Sequence, residues 1–275
     1  MMPQIRILEL AAWGLDDYQF RPPALDAAEM TFARRLVGQR EPYQATNALC
    51  EEEMQCLRDA LDLQLARTDL HEEMLGLDWS LGVIDLRRLL AFQRRLSFNP
   101  ALPAAQAPSQ EDWAGLIKLA FPPPRPVVYD ISRDTAARTL TLQSSNPNLH
   151  LRMTTDRSAP LTVHPGGPFL EVGLYKERWF LRDGYHRAYM LLQAGVFLVP
   201  AAIVRARTLQ ELGAVEPWFF PESILLSAHP PTVCDFLDSA LTHDYVRPPI
   251  IKTLRITMEE TISHAPTNGT SGEPA

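Results

Sequence analysis

The stretch that most constrains this chain runs from Trp179 to Val204, WFLRDGYHRAYMLLQAGVFLVPAAIV. Trp179-Phe180-Leu181 reads as the end of a strand. Ala188, Leu191 and Leu192 then recur at three and four, the spacing of one apolar helix face. Gly195 stands where a left-handed helix end is expected, and Leu198–Val204 reads as the next strand. Upstream, Phe169–Tyr175 and Arg178–Leu181, separated by Lys176-Glu177, read as a hairpin that feeds into the same turn. The expectation is hairpin, sharp turn at Asp183-Gly184, helix, strand.

The turn carries an electrostatic anomaly. His186 and Arg187 fall in the first turn of the helix, where the macrodipole is positive. A cation there costs a few tenths of a kcal/mol unless something anionic answers it. Asp183 as N-cap is one answer. A bound phosphate is the other, because a helix N-terminus presents free N–H groups to an anion. Asp183, Gly184, Tyr185, His186 and Arg187 are therefore the candidate phosphate site. The competing expectation is a tight strand-to-helix turn, with His186 and Arg187 paired to carboxylates from the N-terminal half.

Elsewhere the pattern changes once. Residues 1–98 read as a mainly helical region, with helical spacing at Ala27–Leu36, Ala48–Leu65 (its stripe Leu57, Leu61, Leu65) and Arg87–Leu96. Asp78–Leu86 reads as a short extended piece. On the last helix, Arg87, Arg88, Arg94 and Arg95 read as one solvated or salt-bridged face. Residues 99–126, with NPALPAAQAPSQ and the run Pro122-Pro123-Pro124-Arg125-Pro126, read as a Pro-rich linker around a short helix at Trp113–Leu119. Residues 127–264 turn to short strands: Val127–Ile131, Thr139–Leu142 and Leu149–Met153 precede the hairpin. A helix at Thr232–Leu241 and a final element at Thr253–Ile262 follow. Residues 265–275 are rich in Pro, Gly, Ser and Thr and read as a disordered tail.

Other motifs are weak. Asp69–Glu73 spells DLHEE but lacks the second His of a zinc-binding H-E-x-x-H helix, so no metal residue is assigned. Cys50, Cys56 and Cys234 show no C-x-x-C spacing, so neither a disulfide framework nor a zinc site is read. His164-Pro165-Gly166-Gly167-Pro168 reads as an ordinary turn, and Tyr185 with Tyr189 as packing rather than a base-stacking pair. MMPQIRILEL has no signal-peptide pattern, and AYMLLQAGVFLVPAAIV is broken by Gln193, Gly195 and Pro200, so the expected location is the cytoplasm without a membrane span. The formal charge of −7 and the lack of a basic recognition helix make duplex DNA an unexpected partner.

The hairpin, the box Gly184-Tyr185-His186-Arg187 with Ala188 after it, Gly195 and the strand opening Val199-Pro200 together resemble the core of the ParB/sulfiredoxin-like superfamily. Its members include chromosome-partition CTPases, sulfiredoxins and a free-serine kinase. The likeness covers roughly Leu161–Arg207. It implies an α+β fold, with the helical N-terminal region packed on a ParB/sulfiredoxin-like mixed domain. It also implies that His186 and Arg187 contact nucleotide phosphates, helped by backbone N–H groups of Gly184–His186. Asp183 would cap the helix or meet a metal. ATP, ADP or CTP with Mg2+ would be the ligand, and phosphoryl transfer or nucleotide hydrolysis the chemistry. A sulfiredoxin needs Cys where Tyr185 stands, so sulfinic-acid repair is not expected. A catalytic carboxylate is not fixed by the pattern, and Glu171 and Glu177 on the hairpin are candidates by proximity. The alternative is a non-enzymatic interaction or regulatory protein that keeps a degenerate ParB-like core.

Overall fold

The computed structural model describes residues 4–22, 27–100, 106–124, 126, 128–146, 149–153, 158, 161–164 and 166–262. In chain order the elements are β1 (Ile5–Leu10), α1 (Ala27–Gly38), α2 (Glu51–Cys56), α3 (Arg58–Leu65), α4 (Thr68–Glu73), β2 (Trp79–Asp85), β3 (Leu90–Ala91), β4 (Arg95–Phe98) and α5 (Trp113–Ala120). Next come β5 (Asp130–Asp134), β6 (Thr139–Ser144), β7 (His150–Met153), β8 (Leu161–His164), β9 (Glu171–Tyr175), β10 (Arg178–Asp183), α6 (Tyr185–Gln193) and β11 (Leu198–Arg205). The chain closes with α7 (Leu209–Leu212), α8 (Glu222–Leu225), β12 (Thr242–Arg247) and β13 (Lys252–Thr257). Single 3-10 turns cover Leu86–Arg88 and Val233–Leu237. The fold is α+β.

Two compact units divide these elements. The first takes the described residues up to 124 together with 166–249, and the second takes those of 126–164 and 250–262. In the first unit a five-stranded mixed sheet runs in the order β2-β11-β9-β10-β3. β11 lies antiparallel to β2 and parallel to β9, and β9 and β10 form the expected hairpin. Its turn sits on Lys176 and Glu177, both at positive φ, the twist that closes a two-residue hairpin. β9 and β11 read as near-continuous apolar runs because both faces of the sheet are covered: Val172, Val199, Ala201, Ala202 and Val204 are all fully buried. A second, antiparallel sheet, β12-β1-β4, belongs to the same unit. Its one fully buried carboxylate, Glu9, accepts hydrogen bonds from Arg21 and from the hydroxyl of Tyr245 at 2.8 Å.

The N-terminal half therefore departs from the mainly helical expectation. It carries α1 to α4, but also β1 to β4, and β2 and β3 form the two edges of the central sheet. The expected helix Arg87–Leu96 is instead a 3-10 turn, β3 and the start of β4. The main chain there is captured by neighbours: Leu90 and Ala91 pair with Phe180 and Leu181 of β10. Nor do the four arginines share a face. Arg87 and Arg88, both exposed, bind the buried Asp85, whereas the Arg94 Nη1 donates to the Gly14 carbonyl and Arg95 pairs with Glu9 and Asp16.

The second unit holds the antiparallel sheet β13-β6-β5 and the hairpin β7-β8. The chain enters the second unit at 126, beside the expected boundary at 127, but it leaves that unit at 166 and returns at 250, so residues 127–264 are shared between the two units. The expected tail at 265–275, Arg125 of the proline run and Pro165 lie outside the described residues.

Candidate functional site

Asp183 reaches its place through a β-bulge. Leu181 pairs with Val172 and Asp183 pairs with Glu171, so Arg182 is the extra residue between two ladder positions. An inserted residue bends a strand and re-aims the side chains beyond it. Gly184 then takes φ of +93°, the left-handed region open to glycine at no steric cost. A Cβ at that point would also stand 3.1 Å from Arg187 Nη2 and 3.2 Å from Leu170 Cγ. The backbone N–H of Gly184 donates to the Asp183 carboxylate, and α6 begins at the next residue.

The side chains of the box turn into the protein. Tyr185 is buried, and its hydroxyl oxygen accepts the backbone N–H groups of Phe92 at 3.0 Å and Gln93 at 3.3 Å. Burial pushes its pKa well above the ordinary range. His186 keeps an edge in solvent, and its Nε2 lies 3.0 Å from the Ser97 carbonyl oxygen, which can only accept. Its ring meets Phe98 edge-on at 5.4 Å. Surrounding protein holds the His186 pKa below its usual value: desolvation outweighs the bond to Ser97, and the nearby Arg187 charge adds to it.

Arg187 is the most committed of the five. Nη1 donates to the carbonyls of Leu119 at 3.0 Å and Pro168 at 2.6 Å, and Nη2 to that of Phe169 at 2.6 Å. Leu119 lies in the last turn of α5, where carbonyls lack intrahelical partners and the dipole is negative. The guanidinium thus joins α6 to the end of α5 and to the strand entering β9. Three fixed donors matched to three carbonyls suit its planar fork. In these bonds of His186 and Arg187 the acceptors are backbone carbonyls, and Ser97 and Leu119 both come from the N-terminal half.

Beside this lock stands a cluster of carboxyl groups. Glu171 opens β9 in a buried position and pairs with Arg182 Nη1. Asp183 is its ladder partner, and Glu73 approaches from the end of α4. Gly167 shows how tightly they meet: a Cβ there would lie 2.8 Å from Glu73 Cγ and 2.9 Å from Glu171 Oε1. Burial pushes Glu171 up to about 8, opposed by Arg182 and reinforced by the charges of Asp183 and Glu73. Asp183 is raised too, again by burial first, with Arg187 and the Gly184 N–H working against it. Like charges in a low-dielectric site raise one another's pKa in this way. Of the two carboxylates that the hairpin offered, Glu171 joins the site and Glu177 stays exposed at the turn. Glu73 is the participant the sequence reading passed over. Its only signal was the DLHEE segment set aside as an incomplete zinc motif.

Chemically the arrangement fixes backbone, and burial favours the protonated form of Glu171 and Asp183. An anion at the opening of α6 would face Asp183 and find Arg187 and the Nε2 of His186 already bonded. Tyr189 is packing, its ring 5.3 Å from Phe98 and its hydroxyl accepting from Gln193. Two clefts among the described residues, of about 600 and 440 Å3, are lined by residues outside the box. Among the described residues no group of three or more His, Cys, Asp or Glu is arranged to hold a metal ion. Nor is any described helix long and apolar enough to cross a membrane. Compared with family models, with curated proteins and with solved structures, the chain finds no match.

Proposed function

We propose that this chain is a non-enzymatic interaction protein, and that its ParB/sulfiredoxin-like core serves as a scaffold. The observation that carries this reading is the placement of Arg187, whose donors go to the carbonyls of Leu119, Pro168 and Phe169. The residue that the resemblance would assign to phosphate instead holds three segments together. Beside it stand the carboxyl groups of Glu171 and Asp183, and burial favours their protonated form, so the lock has no charged cluster of its own to offer an anion.

One observation favours a nucleotide- or phosphate-binding reading, with a phosphotransferase or NTPase as its enzymatic form. The first turn of α6 has no side-chain cap, and His186 stands at the surface beside it. Uncapped N–H groups at a helix start attract phosphate. A thermal-shift panel separates the two. A nucleotide present at a hundred times its Kd stabilises a protein by about 2.7 kcal/mol. The scaffold reading expects no change in melting temperature with ATP, ADP, CTP or inorganic phosphate, each with Mg2+. A concentration-dependent rise with any of them overturns it.

A further inference from the structure

β2 is an edge strand of the central sheet, and only one end of its outer side is covered. The neighbour there is the segment before α2: Leu49 bridges Ile84, Cys50 N–H donates to the Val83 carbonyl, and Asp85 N–H donates to that of Ala48. Val83 and Asp85 therefore point their backbone groups outward. By strand alternation so do Trp79 and Leu81. The inner side agrees. Leu81 stands opposite Ala202, whose N–H turns away to Leu170 on the β9 side, and Val83 stands opposite Pro200, which has no N–H. Among the described residues nothing pairs with the outward groups of Trp79 and Leu81. Exposure follows the same division, with Gly82–Asp85 buried and Trp79–Leu81 only half-buried.

A groove of about 440 Å3 lies against this open end, and three consecutive strand residues, Trp79, Ser80 and Leu81, line it. Side chains alternate between faces, so three neighbours lining one groove place it along the strand edge. Its opposite wall comes from α2 and α3. Met54, Leu61 and Leu65 supply an apolar floor, and Glu51 and Asp62 outnumber Arg58 at the rim. α2 itself opens with Glu51, Glu52 and Glu53 in succession.

We propose that this edge and groove dock an extended peptide that adds as a further strand beside Trp79–Leu81, seats an apolar side chain against Met54, Leu61 and Leu65, and presents Lys or Arg to Glu51 and Asp62. Exposed edges with unpaired N–H and C=O groups are templates for strand addition, main-chain bonds giving affinity and pockets for alternate side chains giving specificity. The acidic rim selects the charge of the partner. The C-terminal residues of the chain, SHAPTNGTSGEPA, contain neither Lys nor Arg nor a large apolar residue, so they do not fit the groove. This inference names a partner class for the interaction reading and rests on it.

The test uses the full chain and the labelled probe acetyl-Lys-Val-Lys-Leu-Lys-Val-Lys-amide, followed by fluorescence anisotropy. Saturable binding is expected, together with its loss when alternate backbone nitrogens of the probe are methylated or when Glu replaces every Lys. Leu81→Pro removes one outward N–H without touching the ladder to β11, since proline is tolerated at an outward edge position. It should weaken binding by about two- to tenfold, the loss of roughly one hydrogen bond. The surface pair Glu51→Lys with Asp62→Lys should weaken binding as well while lowering the melting temperature only slightly, the cost of a cation at the start of α2, so the test does not depend on Leu81→Pro folding. Failure of the lysine probe to bind, or binding that survives the charge reversal or the N-methylated backbone, overturns the proposal. An inert nucleotide panel beside a failed peptide titration removes this docking site alone, whereas a nucleotide response removes the scaffold reading.

Discussion

Arg187→Ala is expected to destabilise the first unit by on the order of 4 kcal/mol and to lower the melting temperature by about 10 °C. The loss has two parts. Charge-assisted bonds to Leu119, Pro168 and Phe169 vanish. Three carbonyls that had given up water are then left without a donor, and that desolvation penalty outweighs the net worth of the bonds themselves. Removing a cation from the positive end of α6 returns only a few tenths of a kcal/mol. Arg187→Lys should recover less than half the loss, because one ammonium cannot meet acceptors that the two guanidinium nitrogens now serve from different sides. Thermal or urea unfolding of the three proteins checks this. A phosphate-binding Arg187 would give the opposite pattern, an alanine variant as stable as the parent.

Glu171→Gln is expected to flatten the pH dependence of stability between about 6.5 and 8. Burial raises Glu171 in the folded protein to about 8, above its ordinary value of 4.5. The folded state therefore binds the proton more tightly than the unfolded state. The contribution is complete below the unfolded pKa and is lost as pH rises toward the folded one, by up to about 1.4 kcal/mol per pH unit for one proton. Asp183 is raised as well and adds a slope of the same sign. His186 and His243 are lowered, so their slopes have the opposite sign and fade above pH 6.5, and they are the same in parent and variant and cancel in the comparison. Glutamine keeps an oxygen toward Arg182 and binds no proton. The parent should thus lose melting temperature from pH 6.5 to 8 more steeply than the variant. Equal slopes would mean that Glu171 is ionised throughout, held by Arg182.

Much of the fold around the box was legible because its signals are local. The helix face of Ala188, Leu191 and Leu192, the stop at Gly195 and the β-rich Leu198–Val204 decide α6 and β11 without help from distant residues. Arg87–Leu96 misled for the converse reason. Leu89, Leu90, Phe92 and Leu96 recur at spacings that also suit a helix, but all four bury against other elements, and Tyr185 captures the backbone of Phe92. Tertiary contacts decided that segment. The site divides likewise. The cationic first turn marked DGYHR as a place in need of a compensating partner. What compensates it was hidden, because the carbonyls of Leu119, Pro168 and Phe169 leave no trace in side-chain identity. Glu73 was hidden by distance along the chain, since only the packing of α4 brings it to Glu171.

The central claim, that DGYHR faces inward as a structural lock, is tested most directly by following the backbone amide resonances of Gly184, Tyr185, His186 and Arg187 while ATP, CTP and inorganic phosphate are titrated in with Mg2+. The account predicts that these four amides stay in place at millimolar ligand, the Gly184 N–H remaining on Asp183 and the Arg187 side chain on its carbonyls. Saturable shifts concentrated at the first turn of α6 would contradict it and place a phosphate where the structure puts a lock.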